Sequence, residues 1–437
     1  MRVALSTLGC KVNRYDTASI ETHLRAVGCT IVPFAAGADV YIVNTCTVTD
    51  RADAESRQLA RRARRWNAAA RVIVTGCFAQ INPRGAAIPE VDHVVGLNRL
   101  PDLVRAVRAA IEEPVPRILV NDLRSARQVG TLGAETFTGQ TRAFLKIQEG
   151  CDLFCTFCIV PFARGRSRSV PPRQVLEQLR LLGARGFQEV VLTGVHLGAY
   201  GADLDVPLEL AALLEMIAER PPIPRIRLSS IDPPEVTPRL LDLMAGSDMF
   251  CPHLHIPVQA GHGDVLRRMR RTYDTGLVQE VCAAIRERLP EAAIGTDVIA
   301  GFPGETQAQF DDGMRLMDAL PFTYFHVFPY SRRAGTTAAK LGGHLPAAVV
   351  KQRARRLRGL GQRKRAEFAY RFVGRTAKVL VEETPGGEGQ RLAGYTRNYQ
   401  RVALTGPTAL VNREVAVRLV GWQGECLVGE LLEDHHG

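Results

Sequence analysis

The sequence predicts an α/β protein in three parts. These are an N-terminal parallel α/β sheet domain, a central partial α/β barrel of six strand–helix units, and a small C-terminal β-barrel. Three observations predict it. Apolar strand-like runs alternate with amphipathic stretches over roughly the first hundred residues. A second, longer alternation begins at position 141. After a strongly basic helical stretch the texture changes to valine-rich alternating runs split by glycine turns.

In the first part, "RVALSTLGC" (2–10) reads as a strand, and "DTASIETHLRAVG" (16–28) as a helix capped by Asp16 and closed by Gly28. "DVYIVNTC" (39–46) is a second strand, "DRADAESRQLARRARRWN" (50–67) a helix, and "RVIVTGC" (71–77) a third strand. This domain is taken as residues 1–115. A Pro-containing connection follows over 116–140.

The central domain (141–370) has six strand candidates: "FLKIQ" (144–148), "EVVLTGV" (189–195), "RIRLSS" (225–230), "HLHIPV" (253–258), "IGTDVIAG" (294–301) and "YFHVFPYS" (324–331). Helical patterns such as "PPRQVLEQLRLLGARG" lie between most of them. Six units over about 190 residues suit an open barrel, because a closed eight-fold one takes roughly 250. The basic helix 351–370 closes this part, and "TAKVLVEE", "QRVALT" and "EVAVRLVGWQGECLVGELLE" supply the strands of the last, 371–437.

The chain has 437 residues, 46% hydrophobic and 23% charged, as a soluble globular protein has. No stretch approaches the roughly 18 apolar residues of a membrane span. A signal segment is also not expected, since the apolar run before Cys10 is far shorter than the roughly 15–30 residues such segments take. The expected location is the cytoplasm. A net charge of +11, carried mainly by arginine, favours a polyanionic partner. "RRARRW", "RRMRRTY" and "KQRARRLRGLGQRKR" read either as tracks for a nucleic-acid backbone or as solvated helix faces.

Ten cysteines without an export signal point to metal or redox chemistry rather than a disulfide scaffold. Cys10, Cys46 and Cys77 each follow an apolar run: "STLGC", "IVNTC", "IVTGC". The C-terminal ends of parallel strands share one edge, so three distant thiols would converge there. One such cysteine would be packing; three at equivalent strand ends read as joint metal ligands. Cys29, Cys251, Cys282 and Cys426 lack that placement and read as packing residues.

The sharpest signal is "EGCDLFCTFCIVPFARG", in which Cys151, Cys155 and Cys158 are spaced C-x₃-C-x₂-C just after the first barrel strand. Three thiolates in a tight loop suit an iron–sulfur cluster with one open iron. A zinc knuckle is the alternative, but it wants a nearby fourth ligand, and the nearest downstream histidine is His196.

This motif, with Phe157 before its last cysteine, resembles the radical S-adenosylmethionine superfamily. With the three N-terminal cysteines the chain is similar to the methylthiotransferases that modify tRNA or a ribosomal protein. The likeness runs through "LGCKVNRYDT", "VNTCTVT", "VTGCFAQ", "LTGVHLGAYG", "HIPVQAG", "GTDVIAGFPGET" and "PYSRRAGT". "GYTRNYQRV" and its β-rich surroundings resemble the family's RNA-binding TRAM domain.

The resemblance implies two 4Fe–4S clusters, one on Cys151, Cys155 and Cys158 and an auxiliary one on Cys10, Cys46 and Cys77. At the first, S-adenosylmethionine is cleaved to a 5′-deoxyadenosyl radical; the second holds the sulfur to be inserted. It also implies a tRNA substrate, a flavodoxin- or ferredoxin-like electron donor and a sulfur donor. Gly194, Ser230 and Gln259, at strand ends on one barrel face, are candidate S-adenosylmethionine contacts, each with an ordinary turn or capping explanation beside it. "GCKVN" resembles the branch acting on N6-threonylcarbamoyladenosine at position 37 of tRNA, whose carbon 2 would be methylthiolated. Action on N6-isopentenyladenosine or on a ribosomal-protein aspartate is the alternative. A zinc-stabilised RNA-binding protein or a pure electron-transfer protein are the readings from other classes.

Overall fold

The computed structural model describes residues 1–108, 117–130, 133–382 and 391–432. The expected boundary at 115/116 and the terminal "DHHG" lie outside the described residues.

The first sheet has six parallel strands in the order β2-β1-β3-β4-β5-β6. They are β1 (Arg2–Thr7), β2 (Thr30–Val32), β3 (Val40–Thr45), β4 (Arg71–Gly76), β5 (His93–Val95) and β6 (Ile118–Leu119). Three were expected. The added strands are two or three residues long, too short to carry a periodicity. β6 comes from the stretch read as a linker, which also sends Ala134 and Phe137 into the barrel core. The central strands β3 and β4 are buried nearly throughout, as strands covered on both faces must be.

The first helix corrects the sequence reading. It spans Lys11–Ala26, with Cys10 rather than Asp16 at its N-cap, and Cys10 makes no side-chain capping bond. Asp16 lies one turn inside the helix, where its carboxylate accepts from Lys146 Nζ (2.7 Å) and Arg164 Nη2 (2.8 Å). A tertiary ion pair has claimed the residue that local propensity offered as a cap.

In the central domain, β7 (Arg142–Lys146) continues into β8 (Gln148–Glu149), which pairs antiparallel with β9 (Arg168–Ser169) around the cysteine loop. β10 (Glu189–Thr193) lies between β7 and β11 (Arg225–Leu228), all parallel. β12 (His253–His255), β13 (Ala293–Ala300) and β14 (Tyr324–Pro329) form a second parallel set. Bridges at Ile226–Phe250 and Ser230–His255 join the two sets. The result is the six-stranded open barrel the alternation predicts. Its core is one cluster that includes Leu145, Val191, Leu228, Leu254 and Ile294.

The helix Ala347–Tyr370 leads into a closed antiparallel-rich barrel. Its strands are β15 (Thr376–Glu382), β16 (Arg391–Thr396), β17 (Arg401–Thr405), β18 (Glu414–Gln423) and β19 (Cys426–Leu431). The turn between β16 and β17 presses on the starts of the central strands. Arg225 donates to the carbonyls of Tyr395 (3.2 Å) and Thr396 (3.3 Å), and Arg227 to that of Arg397 (2.9 Å). Glu189, fully buried, ties this base together by pairing with Arg225 and Arg227, each at 2.7 Å. Among the described residues no helix is long and apolar enough to cross a membrane.

Candidate active site

The strand register brings the first three thiols together. Thr45 of β3 pairs with Gly76 of β4, so the next residues, Cys46 and Cys77, leave neighbouring parallel strands side by side. Thr7 of β1 pairs with Asn44 on the other flank, and Gly9 then turns the chain so that Cys10 starts the first helix. Gly9 has φ +99°, and a Cβ there would sit 2.8 Å from Cys46 Cβ and 2.9 Å from its Sγ. Only glycine allows that approach. Cys46 and Cys77 are buried, and Cys10 is exposed.

The side chain of Asn13 fastens this edge. Its Nδ2 donates to the carbonyls of Leu8 (2.7 Å) and Thr45 (2.9 Å), while its Oδ1 accepts from Arg164 Nη2 at 2.6 Å. Arg164 comes from the central domain and is fully buried. Its other nitrogen donates to Glu149, which also accepts from Lys146 at 2.8 Å. Burial raises the Cys77 thiol to about 12 against the pull of Arg164, and burial likewise raises Cys46. The Arg164 cation thus lies within electrostatic reach of Cys10, Cys46 and Cys77, a buried positive charge suited to a group of thiolates.

The second set of thiols sits in the loop after β8. Cys151 N–H donates to the Gly165 carbonyl (3.1 Å), and Cys158 N–H to that of Cys155 (2.9 Å), which closes the loop. Cys155 is buried, while Cys151 and Cys158 are half-buried. Arg271 donates from Nη1 to Cys155 Sγ at 3.1 Å and from Nη2 to Asp232. His196 Nε2 pairs with Glu235, and the Cys151 thiol lies within its electrostatic reach. Burial opposes its protonation, but these partners outweigh burial and raise it to about 10. An imidazolium and a guanidinium therefore face the three sulfurs. That donor set fits a metal–sulfur cluster carrying net negative charge.

A cavity of about 190 Å³ opens beside this loop, lined by Val48, Thr49, Cys158, Gln259, Asp297 and Tyr330. Gln259 has φ +69° and is held by backbone bonds with Asp297 and Ile299. Ser230 follows β11 and bridges to His255. Gly194 packs on Gln148: a Cβ there would lie 2.9 Å from Gln148 Oε1, which accepts from the His196 backbone at 2.8 Å.

Deeper in the barrel, side chains from three neighbouring strands, β12, β13 and β14, meet. Asp297 Oδ1 accepts from His255 Nε2 (2.9 Å) and His326 Nδ1 (3.2 Å). The donor atoms of these three lie within 4.8 Å of one another, close enough for a cation. Tyr324 OH bonds His253 at 2.7 Å and His255 at 3.2 Å, and Tyr399 packs 4.6 Å from His253. Lys11 reaches the same region, with Tyr399, Arg227, Arg142 and Asp297 as its electrostatic neighbours.

Among the residues the sequence reading missed, Arg164 lies in a quoted motif without a role, and Arg271 lies in a basic run that reads as an RNA track or a solvated helix face. The basic runs are in fact partly internal: Arg271 faces Cys155, Arg353 pairs with Glu305 at 2.7 Å, and Lys364 caps the Leu320 carbonyl. Cys29, Cys251 and Cys282 are buried as packing residues, whereas Cys426 is half-buried.

Two family models match the chain: the radical SAM superfamily over residues 145–317 and an uncharacterized protein family, UPF0004, over residues 2–96. The threonylcarbamoyladenosine tRNA methylthiotransferase of Bacillus subtilis is 39% identical over 421 residues, covering 96% of this chain and 93% of its own. The chain belongs to the radical S-adenosylmethionine methylthiotransferase family. A methylthiotransferase of the same printed name from Aquifex aeolicus is 39% identical over 88% of this chain and 93% of its own. The tRNA-2-methylthio-N(6)-dimethylallyladenosine synthase of Staphylococcus haemolyticus is 31% identical over 95% of this chain and 82% of its own. The fold is also that of the radical S-adenosylmethionine methyltransferase TsrM from Kitasatospora setae, with TM-score 0.57, 16% identity, and 77% and 76% of the two chains covered. Membership in this methylthiotransferase family brings a 4Fe–4S cluster and S-adenosylmethionine with it.

Proposed function

We propose that this protein methylthiolates carbon 2 of N6-threonylcarbamoyladenosine at position 37 of tRNA. The observation that carries the reading is the pair of three-thiol sets, joined by the buried Arg164 and set on a chain whose nearly full-length relatives bear that activity in their names. The identity to the dimethylallyladenosine synthase is lower, 31% against 39%, which favours the threonylcarbamoyl substrate.

In this reading Cys151, Cys155 and Cys158 hold a 4Fe–4S cluster, and Cys10, Cys46 and Cys77 hold a second. When bound, the first with S-adenosylmethionine supplies a 5′-deoxyadenosyl radical able to break an unactivated C–H bond, and the second supplies sulfur. The protein's own residues do the rest. Arg271 and His196 offset the negative charge of the thiolates, and Arg271 also donates to the Cys155 sulfur. Asp232 and Glu235 hold those two side chains in place. Arg164, Asp16, Lys146 and Glu149 lock the two domains so that the thiol sets keep a fixed separation. Gln259, on the cavity beside Cys158, and Ser230 contact S-adenosylmethionine, and the Gly194 turn shapes its pocket through Gln148 and His196.

Residues 371–437 act as an RNA-binding domain docked on the barrel base, and a reduced flavodoxin or ferredoxin supplies electrons. A separate sulfur donor reloads the auxiliary site. The setting is cytoplasmic, where tRNA resides. Anaerobically reconstituted protein, given dithionite, S-adenosylmethionine and a threonylcarbamoyl anticodon stem-loop, should yield the methylthiolated nucleoside and 5′-deoxyadenosine. A colourless, zinc-retaining protein that leaves S-adenosylmethionine intact would refute the proposal.

A further inference from the structure

We infer that Lys11 is the residue that selects the substrate's charge, by pairing its ammonium with the free carboxylate of the threonylcarbamoyl group. The inference rests on the substrate reading above and deepens it. Lys11 is the first residue of its helix, one peptide unit from Cys10, and is half-buried. Its side chain lies in the barrel interior among Tyr399, Arg227, Arg142, Asp297, His253 and His255, which come from four barrel strands and the C-terminal barrel.

Every other charge there already has a partner. Arg142 pairs with Glu382 at 2.7 Å, and Arg227 with Glu189 at 2.7 and 3.1 Å. Asp297 is taken by His255 and His326. Among the described residues, no side chain or backbone group bonds the Lys11 ammonium. It is thus a half-buried cation beside Arg142 and Arg227, with Asp297 in electrostatic reach but no acid bonded to it. Such a point attracts an anion, and a charge-assisted bond formed there is stronger than a neutral one.

The position selects which anion. Lys11 follows a thiol proposed to hold the sulfur, so its partner must lie within a few ångströms of the base that receives it. The phosphates of the anticodon backbone would have to enter the barrel to reach it. A carboxylate carried on N6 of the same adenine needs no such entry. A neutral, apolar N6 substituent would leave Lys11 unpaired, so one residue both admits one class of N6-modified adenosine and disfavours the other.

The test is fluorescence anisotropy of the cluster-loaded protein with three labelled anticodon stem-loops. One carries the threonylcarbamoyl group, one its neutral primary amide, and one unmodified adenosine. The wild type should bind the acid at least about tenfold more tightly than the amide. Lys11→Met should bind acid and amide alike, at the wild-type amide affinity, with unchanged iron content; Lys11→Arg should keep part of the preference. Equal binding of acid and amide by the wild type would overturn the inference without recourse to any variant. So would a Lys11→Met protein that still discriminates. Failure of the substrate reading is a separate result: the loaded enzyme would then leave the threonylcarbamoyl RNA unmethylthiolated, whatever its affinity.

Discussion

Replacing Glu189 by Gln should loosen the C-terminal barrel from the base of the central one. Glu189 is fully buried and serves Arg225 and Arg227, with Arg142 at 3.9 Å. In the variant Arg225 keeps Glu414 (3.1 Å) and Arg142 keeps Glu382 (2.7 Å). Among the described residues Arg227 then keeps only carbonyl oxygens as acceptors, so a buried guanidinium loses its counterion. Burial alone would raise the Glu189 carboxyl, but Arg227, Arg225 and Arg142 outweigh it and hold the pKa down at about 2, against an ordinary 4.5. At 1.36 kcal/mol per pKa unit the difference is worth about 3 kcal/mol. Deleting one member of a buried pair costs about 3–5 kcal/mol on general grounds, so the two routes agree.

The sign follows from the depressed value. This stabilisation is complete above pH 4.5 and is lost as pH falls towards 2. The assay is urea unfolding followed by fluorescence of Trp422, in the C-terminal barrel, with Trp66, the only other tryptophan, changed to Phe. Glu189→Gln should lower stability by about 3 kcal/mol at pH 7, and the gap should narrow between pH 4.5 and 3. An unchanged midpoint at pH 7, or a gap that does not respond to acid, would refute the reasoning.

Three further outcomes follow from the site. Cys151→Ala should abolish 5′-deoxyadenosine formation, whereas Cys10→Ala should keep that cleavage and lose sulfur insertion; product analysis under single turnover separates the two. Gly9→Ala forces a Cβ to 2.8 Å from Cys46 Cβ at φ +99°, so total iron should fall by about half while S-adenosylmethionine cleavage persists. Arg271→Met removes the donor 3.1 Å from Cys155 and should lower the cluster's reduction potential, read by a redox titration with EPR detection. A potential at or above that of the wild type would show that this hydrogen bond does not tune the sulfur.

Much of the fold was legible because its strands are long where they matter. β3, β4 and β10 carry continuous apolar runs, and the cysteines stand at their ends or in the loop beside them. The short strands β2, β5 and β6 were invisible, since two or three residues show no period. Asp16 misled as a cap because propensity sees neighbours in sequence, while Lys146 and Arg164 reach it across more than a hundred residues. The same blindness hid Arg271 in a basic run: composition reports its charge and is silent on whether that charge faces solvent or sulfur. The six thiols were readable from spacing and from strand ends. The residues that hold them, Asn13, Arg164 and His196, became visible only when register and packing brought distant segments together.

The most direct test of the central claim is mass spectrometry of tRNA nucleosides from cells with and without the gene. Loss of the gene should abolish 2-methylthio-N6-threonylcarbamoyladenosine, leave N6-threonylcarbamoyladenosine in its place, and be reversed by the wild-type gene but not by Cys10→Ala. Undiminished 2-methylthio-N6-threonylcarbamoyladenosine in the deletion strain would contradict the account.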